Sequence, residues 1–320
     1  MDILLLIIGL VLILVGANYL TDGASALAQR FRMPEFIIGL TIVAVGTSMP
    51  ELVVSVMSAL GGQSDLAIGN VVGSNIFNAF LILGICALIA PLVLTQSTIQ
   101  RDIPIGVGAS ALLLLVALDQ TIGLGAVNRI GRLEGVIMVV LYIALMAYTI
   151  RLSRKELAVS ESQEPSEKKP MALWLSIVMI VGGLCGLIFG GNLFVENATL
   201  LARRMGVSDS VIAITLVAGG TSLPELASSV VSLIKGKADM ALGNVVGSNI
   251  ANILLILGVS ATINPLTLGG ITPLDIFIIL LSSVLLLLTA FTFRRRYLDR
   301  WEGAIFLLIY GLYIWQLVTR

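Results

Sequence analysis

The sequence predicts an all-α polytopic membrane protein whose ten transmembrane helices form two inverted five-helix repeats. Three observations lead there. Of 320 residues, 58% are hydrophobic and 12% charged, with a mean hydropathy of +1.04, whereas a soluble domain is about a quarter charged. Ten stretches approach the length of about 20 apolar residues that a helix needs to span a bilayer. Finally, residues 41–78 recur at 215–252, an offset of 174 with no gap.

The ten spans are read at 2–20, 36–60, 66–90, 103–118, 131–150, 172–194, 210–234, 240–263, 273–291 and 301–318. The first could pass for a leader, with Ala24-Ser25-Ala26 as a cleavage site. It has no basic n-region, because Asp2 is its only early charge. Gly16 and Asn18 also match Gly190 and Asn192 at the 174 offset, so it is read as the first helix of a unit. The hydrophilic interval RLSRKELAVSESQEPSEKKP, residues 151–170, is read as a flexible charged linker. It separates a first five-helix repeat, 1–150, from a second, 172–320, with 151–171 as the connection.

Between 65–91 and 239–265, 18 of 27 positions are identical. Arg132, Glu134, Gly135 and Tyr142 match Arg300, Glu302, Gly303 and Tyr310 at an offset of 168, so the preceding connection is six residues shorter in the second half. An odd number of helices forces the second half into the membrane from the opposite side. Such inverted repeats are a hallmark of secondary transporters, whose ion sites lie near the midplane. Loops on the linker side carry 14 Lys/Arg and those on the other side carry 5. The positive-inside rule then predicts a cytoplasmic linker, both termini outside, and a plasma (inner) membrane location.

Composition also excludes function classes. There is no histidine, which removes His-ligated metals, Ser–His nucleophiles and His proton relays. Zero formal net charge argues against nucleic acid as a partner. Cys86 and Cys185 lie in apolar runs without CxxC spacing and read as buried small hydrophobes. Asp22, Glu196, Arg132–Glu134 and Arg300–Glu302 read as boundary residues at helix ends. No cofactor and no obligatory protein partner is indicated, and the chain reads as a non-enzyme with the lipid bilayer as its surroundings.

The chemistry concentrates in the repeated stretch. Glu51 and Glu225 are carboxylates at bilayer depth, and an intramembrane ionisable group is a functional-site hypothesis by default. Each sits in the same setting, Gly46-Thr47-Ser48-Met49-Pro50-Glu51 and Gly220-Thr221-Ser222-Leu223-Pro224-Glu225. Proline lacks an N–H and its ring clashes with the preceding turn, so a carbonyl near Gly46 loses its partner. In a membrane such a carbonyl must be satisfied by a neighbouring helix, water or a cation. Ala44, Thr47, Ser48, Glu51 and Ser55 recur at helical intervals and form one polar stripe, and Ser74 and Asn78 are four apart on the next helix. These are hard oxygen donors, suited to Na⁺ or Ca²⁺ rather than a transition metal. Two ionised glutamates carry −2, which one Ca²⁺, two Na⁺ or two protons neutralise. Gly69 and Gly73 form a GxxxG pattern, read as close helix packing, with Asn70, Asn75, Asn244 and Asn249 as interhelical hydrogen-bond partners.

These motifs, GTSMPE with GNVVGSNIFN and GTSLPE with GNVVGSNIAN, resemble the two α-repeats of the cation/Ca²⁺ antiporter superfamily, and the match looks closest to the short prokaryotic Na⁺/Ca²⁺ exchangers. The resemblance implies that Glu51 and Glu225 hold Ca²⁺, assisted by the backbone carbonyls of Thr47 and Thr221. It implies that Ser48, Ser74, Ser222 and Ser248, with the carbonyls of Ala44 and Ala218, complete flanking Na⁺ sites. Asn78 and Asn252 would contribute amide oxygens at the centre. It further implies electrogenic Ca²⁺ extrusion by alternating access, helices 1 and 6 sliding against the rest. Some members carry aspartate where this chain has Asn252, which puts K⁺ cotransport in doubt. Proton-coupled relatives tend to carry a GNxxE-type motif in place of GTSxPE, which favours Na⁺. Rival readings are H⁺-coupled exchange of Ca²⁺ or another divalent such as Mn²⁺, a cation channel, and a two-carboxylate membrane hydrolase.

Overall fold

The computed structural model describes residues 2–118, 128–159, 171–205 and 218–319. Helix α1 (Asp2–Phe31) leads into α2 (Glu35–Thr47) and α3 (Met49–Leu60), two arms bent by 46°. Helix α4 (Ser64–Ile89), strand β1 (Leu92–Val93), α5 (Thr98–Ala117), β2 (Arg129–Ile130) and α6 (Arg132–Val159) follow. The later part contains α7 (Leu173–Arg204), α8 (Ala218–Gly220), α9 (Leu223–Ile234), α10 (Ala238–Ile263), β3 (Leu266–Thr267), α11 (Pro273–Thr289), β4 (Tyr297–Leu298) and α12 (Arg300–Thr319).

Among the described residues, seven helices are long and apolar enough to cross a membrane, and the bent pair α2–α3 makes an eighth. The broken segment α8–α9 repeats α2–α3, and α11 is apolar over 17 residues. With them the ten expected spans are all represented, although residues 210–217 of the seventh lie outside the described set. The chain is a multi-pass membrane protein.

Several helices outrun their apolar stretches. Helix α1 continues to Phe31 and α7 to Arg204, well past the expected ends at 20 and 194. The reason is a row of glycines that lets the two helices touch backbone to backbone. A Cβ added at Gly16 would sit 2.7 Å from the Gly183 carbonyl, and one at Gly190 would sit 2.8 Å from the Gly9 carbonyl. These contacts exchange under the 174-residue repeat. Helix α6 runs to Val159, nine residues into the interval read as linker; residues 160–170 lie outside the described set.

Helices α4 and α10 form the centre. Their spans are 72% buried, against 28% or less for α1, α5, α6, α7 and α12. Gly243 and Gly247 on α10 bring its backbone against α2, where an added Cβ would run into the carbonyls of Phe36 and Leu40 respectively. This is the close packing expected of the GxxxG pattern. At Gly73, in the first copy, no described atom lies within 4 Å of an added Cβ.

Among the described residues, four two-residue strands depart from the expected all-helical reading, and they report the topology. Strand β1 pairs antiparallel with β4, Leu92 opposite Leu298, and β2 pairs with β3, Ile130 opposite Leu266. The repeat maps Leu92 onto Leu266 and Leu298 onto Ile130, so each little sheet is the image of the other. The β1–β4 sheet joins the loops after the third and ninth spans, and β2–β3 joins those after the fourth and eighth. An odd number of crossings separates the two sheets, which puts them on opposite membrane faces. Equivalent residues therefore lie at opposite ends of the molecule, as an inverted repeat requires.

Polar contacts refine the minor readings. Asp22 pairs with Lys235 Nζ at 2.6 Å, and Glu35 pairs with Lys237 Nζ at 2.6 Å while accepting from Ser25 Oγ at 2.7 Å. Asp22 is thus more than a boundary charge, as is Glu302. The latter is buried and accepts from Thr292 Oγ1 at 2.6 Å and the Asp299 N–H at 2.7 Å, capping its helix. Cys86 is buried as expected, whereas Cys185 is exposed on the outer face of α7.

Candidate ion-binding site

The two glutamates sit just after helix breaks. Ser48 has φ −81° and ψ 9°, and Ser222 has φ −89° and ψ 6°. Both lie in the sparsely populated bridge region frequented by active-site residues. Proline at the second position of α3 and α9 starts each new helix where its missing N–H costs nothing. At the first break the Ser48 N–H closes α2 on the Ala44 carbonyl at 3.0 Å, and α3 starts with the Leu52 N–H on the Ser48 carbonyl at 3.1 Å.

Glu51 and Glu225 are fully buried. Ser222 Oγ donates to Glu51 Oε1 at 3.0 Å, and Ser48 Oγ donates to Glu225 Oε1 at 2.9 Å. Each carboxylate is therefore held by the serine of the other half, and the two breaks meet at the pseudo-two-fold axis. Ser74 Oγ, on α4, adds a longer contact to Glu51 Oε1 at 3.4 Å. Ser248 Oγ, on α10, donates to the Ala44 carbonyl at 3.4 Å.

The second oxygen of each carboxylate is the telling feature. Glu51 Oε2 and Glu225 Oε2 are buried and have no hydrogen-bond partner among the described residues. Asn78 and Asn252, both fully buried, likewise leave their amide oxygens and nitrogens unpartnered. An unsatisfied buried acceptor costs about 1–3 kcal/mol, more when charged. These four oxygens form equivalent pairs of buried acceptors, of the kind a hard cation can satisfy.

The asparagines sit on π-helical turns, Phe77–Ile82 and Asn252–Leu257. Wide turns of this kind are rare and gather at functional sites. The turn with Asn78 packs against α9, which carries Glu225, and the turn with Asn252 packs against α3, which carries Glu51. The structure thus assembles Ser48, Ser222, Glu51, Glu225 and Ser74 by direct contact and sets Asn78 and Asn252 beside them. Thr47 and Ala44 are buried within α2, and Thr221 is half-buried at the second break. Ala218 opens α8, and its backbone is the part described.

Among the described residues no three His, Cys, Asp or Glu side chains cluster as a metal centre. Two carboxylates amid neutral hydroxyl and amide oxygens, −2 when both are ionised, form a donor set that suits hard cations. Of the four asparagines read as interhelical partners, Asn70 and Asn244 make the expected bonds. Asn75 bonds back to the Val71 carbonyl of its own helix at 2.8 Å instead, and the amide oxygens of Asn75 and Asn249 are buried without a described partner.

The chain matches the family model described as sodium/calcium exchanger protein over residues 1–151 and 175–319. It is 33% identical to inner membrane protein YrbG of Escherichia coli, covering 97% of this chain and 94% of that protein. It is 32% identical to sodium/calcium exchanger MaX1 of Methanosarcina acetivorans, covering 98% and 97%. A solved structure of the sodium-calcium exchanger NCX_Mj superposes with a TM-score of 0.83 at 30% identity, covering 99% of this chain and 98% of the other.

Proposed function

Because the chain belongs to the sodium/calcium exchanger protein family, we propose that it is a secondary antiporter that exchanges Na⁺ for Ca²⁺ by alternating access at the Glu51–Glu225 site. The observation that carries this reading is the pair of crossed Ser–Glu contacts, each leaving one buried carboxylate oxygen without a hydrogen-bond partner among the described residues. Glu51 and Glu225 ligate Ca²⁺ jointly, with the Thr47 and Thr221 carbonyls. Ser48, Ser74, Ser222 and Ser248, together with the Ala44 and Ala218 carbonyls, provide the flanking Na⁺ positions. Asn78 and Asn252 contribute their amide oxygens between them.

The charge balance supplies the exchange rule. A site holding −2 in a low dielectric moves across the membrane at high cost unless it is neutralised. One Ca²⁺ achieves that, as do two Na⁺, so one cation species replaces the other before the carrier reorients. The neutral serine and asparagine oxygens make room for further Na⁺, and more than two Na⁺ per Ca²⁺ moves net charge. We place the chain in the plasma (inner) membrane, with both termini outside and the 151–171 linker in the cytoplasm, and assign it electrogenic Ca²⁺ extrusion.

The test is ⁴⁵Ca²⁺ uptake into Na⁺-loaded proteoliposomes diluted into Na⁺-free or Na⁺-containing buffer. Uptake should follow the outward Na⁺ gradient and respond to an imposed membrane potential. Uptake that ignores Na⁺ but follows a pH gradient would replace this reading with H⁺-coupled exchange.

A further inference from the structure

Asn70 and Asn244 lie outside the proposed ligand set, yet each joins both halves of the site. Asn244, buried on α10, shares the two protons of Nδ2 among Ser228 Oγ and Ser229 Oγ, at 2.9 Å each, and the Glu225 carbonyl at 3.4 Å. Its Oδ1 accepts from Thr47 Oγ1, across the axis, at 3.2 Å. Asn70 repeats the pattern. Its Nδ2 donates to the Glu51 carbonyl at 3.1 Å and to Ser55 Oγ at 2.9 Å, and its Oδ1 accepts from Thr221 Oγ1 at 3.4 Å. The amide orientations follow from chemistry: a backbone carbonyl can only accept, so the NH₂ must face the glutamate and the oxygen must face the threonine.

A threonine hydroxyl carries one proton. Thr47 Oγ1 has the Val43 carbonyl at 3.0 Å, Asn244 Oδ1 at 3.2 Å and the Ala44 carbonyl at 3.3 Å as acceptors, and it also faces the Glu225 carboxylate. Whatever proton density goes to Asn244 is withdrawn from the carbonyls of α2. The Ala44 carbonyl, which accepts the Ser48 N–H at 3.0 Å, then keeps its second lone pair on the side where Ser248 Oγ approaches at 3.4 Å.

We propose that Asn244 is a positioning residue for Na⁺ binding: it draws the Thr47 proton across the axis and so keeps the Ala44 carbonyl available to the ion. Asn70 holds the Thr221 hydroxyl in the same way at the second break. The proposal rests on the reading of Glu51 and Glu225 as the Na⁺/Ca²⁺ site. Because each asparagine grips the glutamate carbonyl of its own half and the threonine of the other, displacement of one break is transmitted to its counterpart.

Without Asn244, the Thr47 hydroxyl falls back on its own helix and masks the carbonyl. In proteoliposomes of the full chain, Asn244→Leu should raise the Na⁺ concentration for half-maximal ⁴⁵Ca²⁺ exchange about five- to tenfold, the factor one competing hydrogen bond is worth. The maximal rate at saturating Na⁺ should be little changed. Adding Thr47→Val to Asn244→Leu removes the masking proton and should restore most of the lost Na⁺ affinity. A purely structural role makes the double variant as weak as the single one or weaker, and that result overturns the proposal, as does an unaltered Na⁺ dependence in Asn244→Leu. Should Asn244→Leu fail to purify as a monodisperse protein, Asn70→Leu with and without Thr221→Val carries the same expectation on the other side. Glu51→Gln in the same assay separates the two readings. If it is inactive and the double variant does not recover, this inference alone falls; if it exchanges normally, the site assignment and the inference fall together.

Discussion

Glu51 and Glu225 each commit one oxygen to a serine from the opposite half and leave the other open, and these two kinds of oxygen should respond differently to mutation. Glu51→Gln or Glu225→Gln leaves a single negative charge for a divalent ion, so Na⁺-driven ⁴⁵Ca²⁺ exchange should be lost in either variant. Ser222→Ala keeps both charges and removes only the 3.0 Å contact on Glu51 Oε1, with Ser74 Oγ still in reach at 3.4 Å. Its half-maximal Ca²⁺ concentration should therefore rise about tenfold, the scale of one hydrogen bond to a charged group, with exchange retained. Equal loss in the serine and glutamate variants would refute this division of roles. The glutamates and serines were legible in the sequence because a costly feature appears there twice at one offset. Their crossed pairing was not, since Ser222 and Glu51 are 171 residues apart and no local spacing records which half a side chain reaches into.

At the scale of elements, hydropathy locates the spans but does not end them. Helix α1 continues through Thr21, Gly23, Ala24 and Ser25, where hydropathy falls while burial persists, because small side chains let α7 approach. The π turns at Phe77–Ile82 and Asn252–Leu257 also left no mark in composition, since a wider turn uses the same apolar residues as an α turn. The glycine contacts predict where the bundle is intolerant. Gly16→Val would drive side-chain atoms into the Gly183 carbonyl and the Leu187 N–H, each 2.7 Å from an added Cβ. Such overpacking costs about 1–3 kcal/mol. Lys235→Ala removes an ion pair whose partners are 26% and 45% exposed, a type worth about 0–1 kcal/mol. Thermal melts in detergent should thus show a clear drop for Gly16→Val and little change for Lys235→Ala; the reverse order would contradict the packing described.

For the whole molecule, the inverted repeat was the most legible property of the sequence, because an odd number of spans between two copies leaves no other topology. What no sequence pattern announced was how the two copies are held together at the rims. The strands are too short to show alternation, and their partners lie in distant loops. Yet β1 of the first half pairs with β4 of the second on one membrane face, and β2 pairs with β3 on the other, each sheet closing over a buried apolar pair, Leu92 with Leu298 and Ile130 with Leu266. Two clasps at opposite rims, with crossed contacts at the centre, make the covalent connection between the halves redundant for assembly. A molecule divided between residues 160 and 170 should reunite from two separately translated pieces. A tag on either fragment should capture the other, and the recovered pair should drive Na⁺-dependent ⁴⁵Ca²⁺ uptake. In that sense the protein is a dimer of duplicated subunits that has come to be written as a single chain.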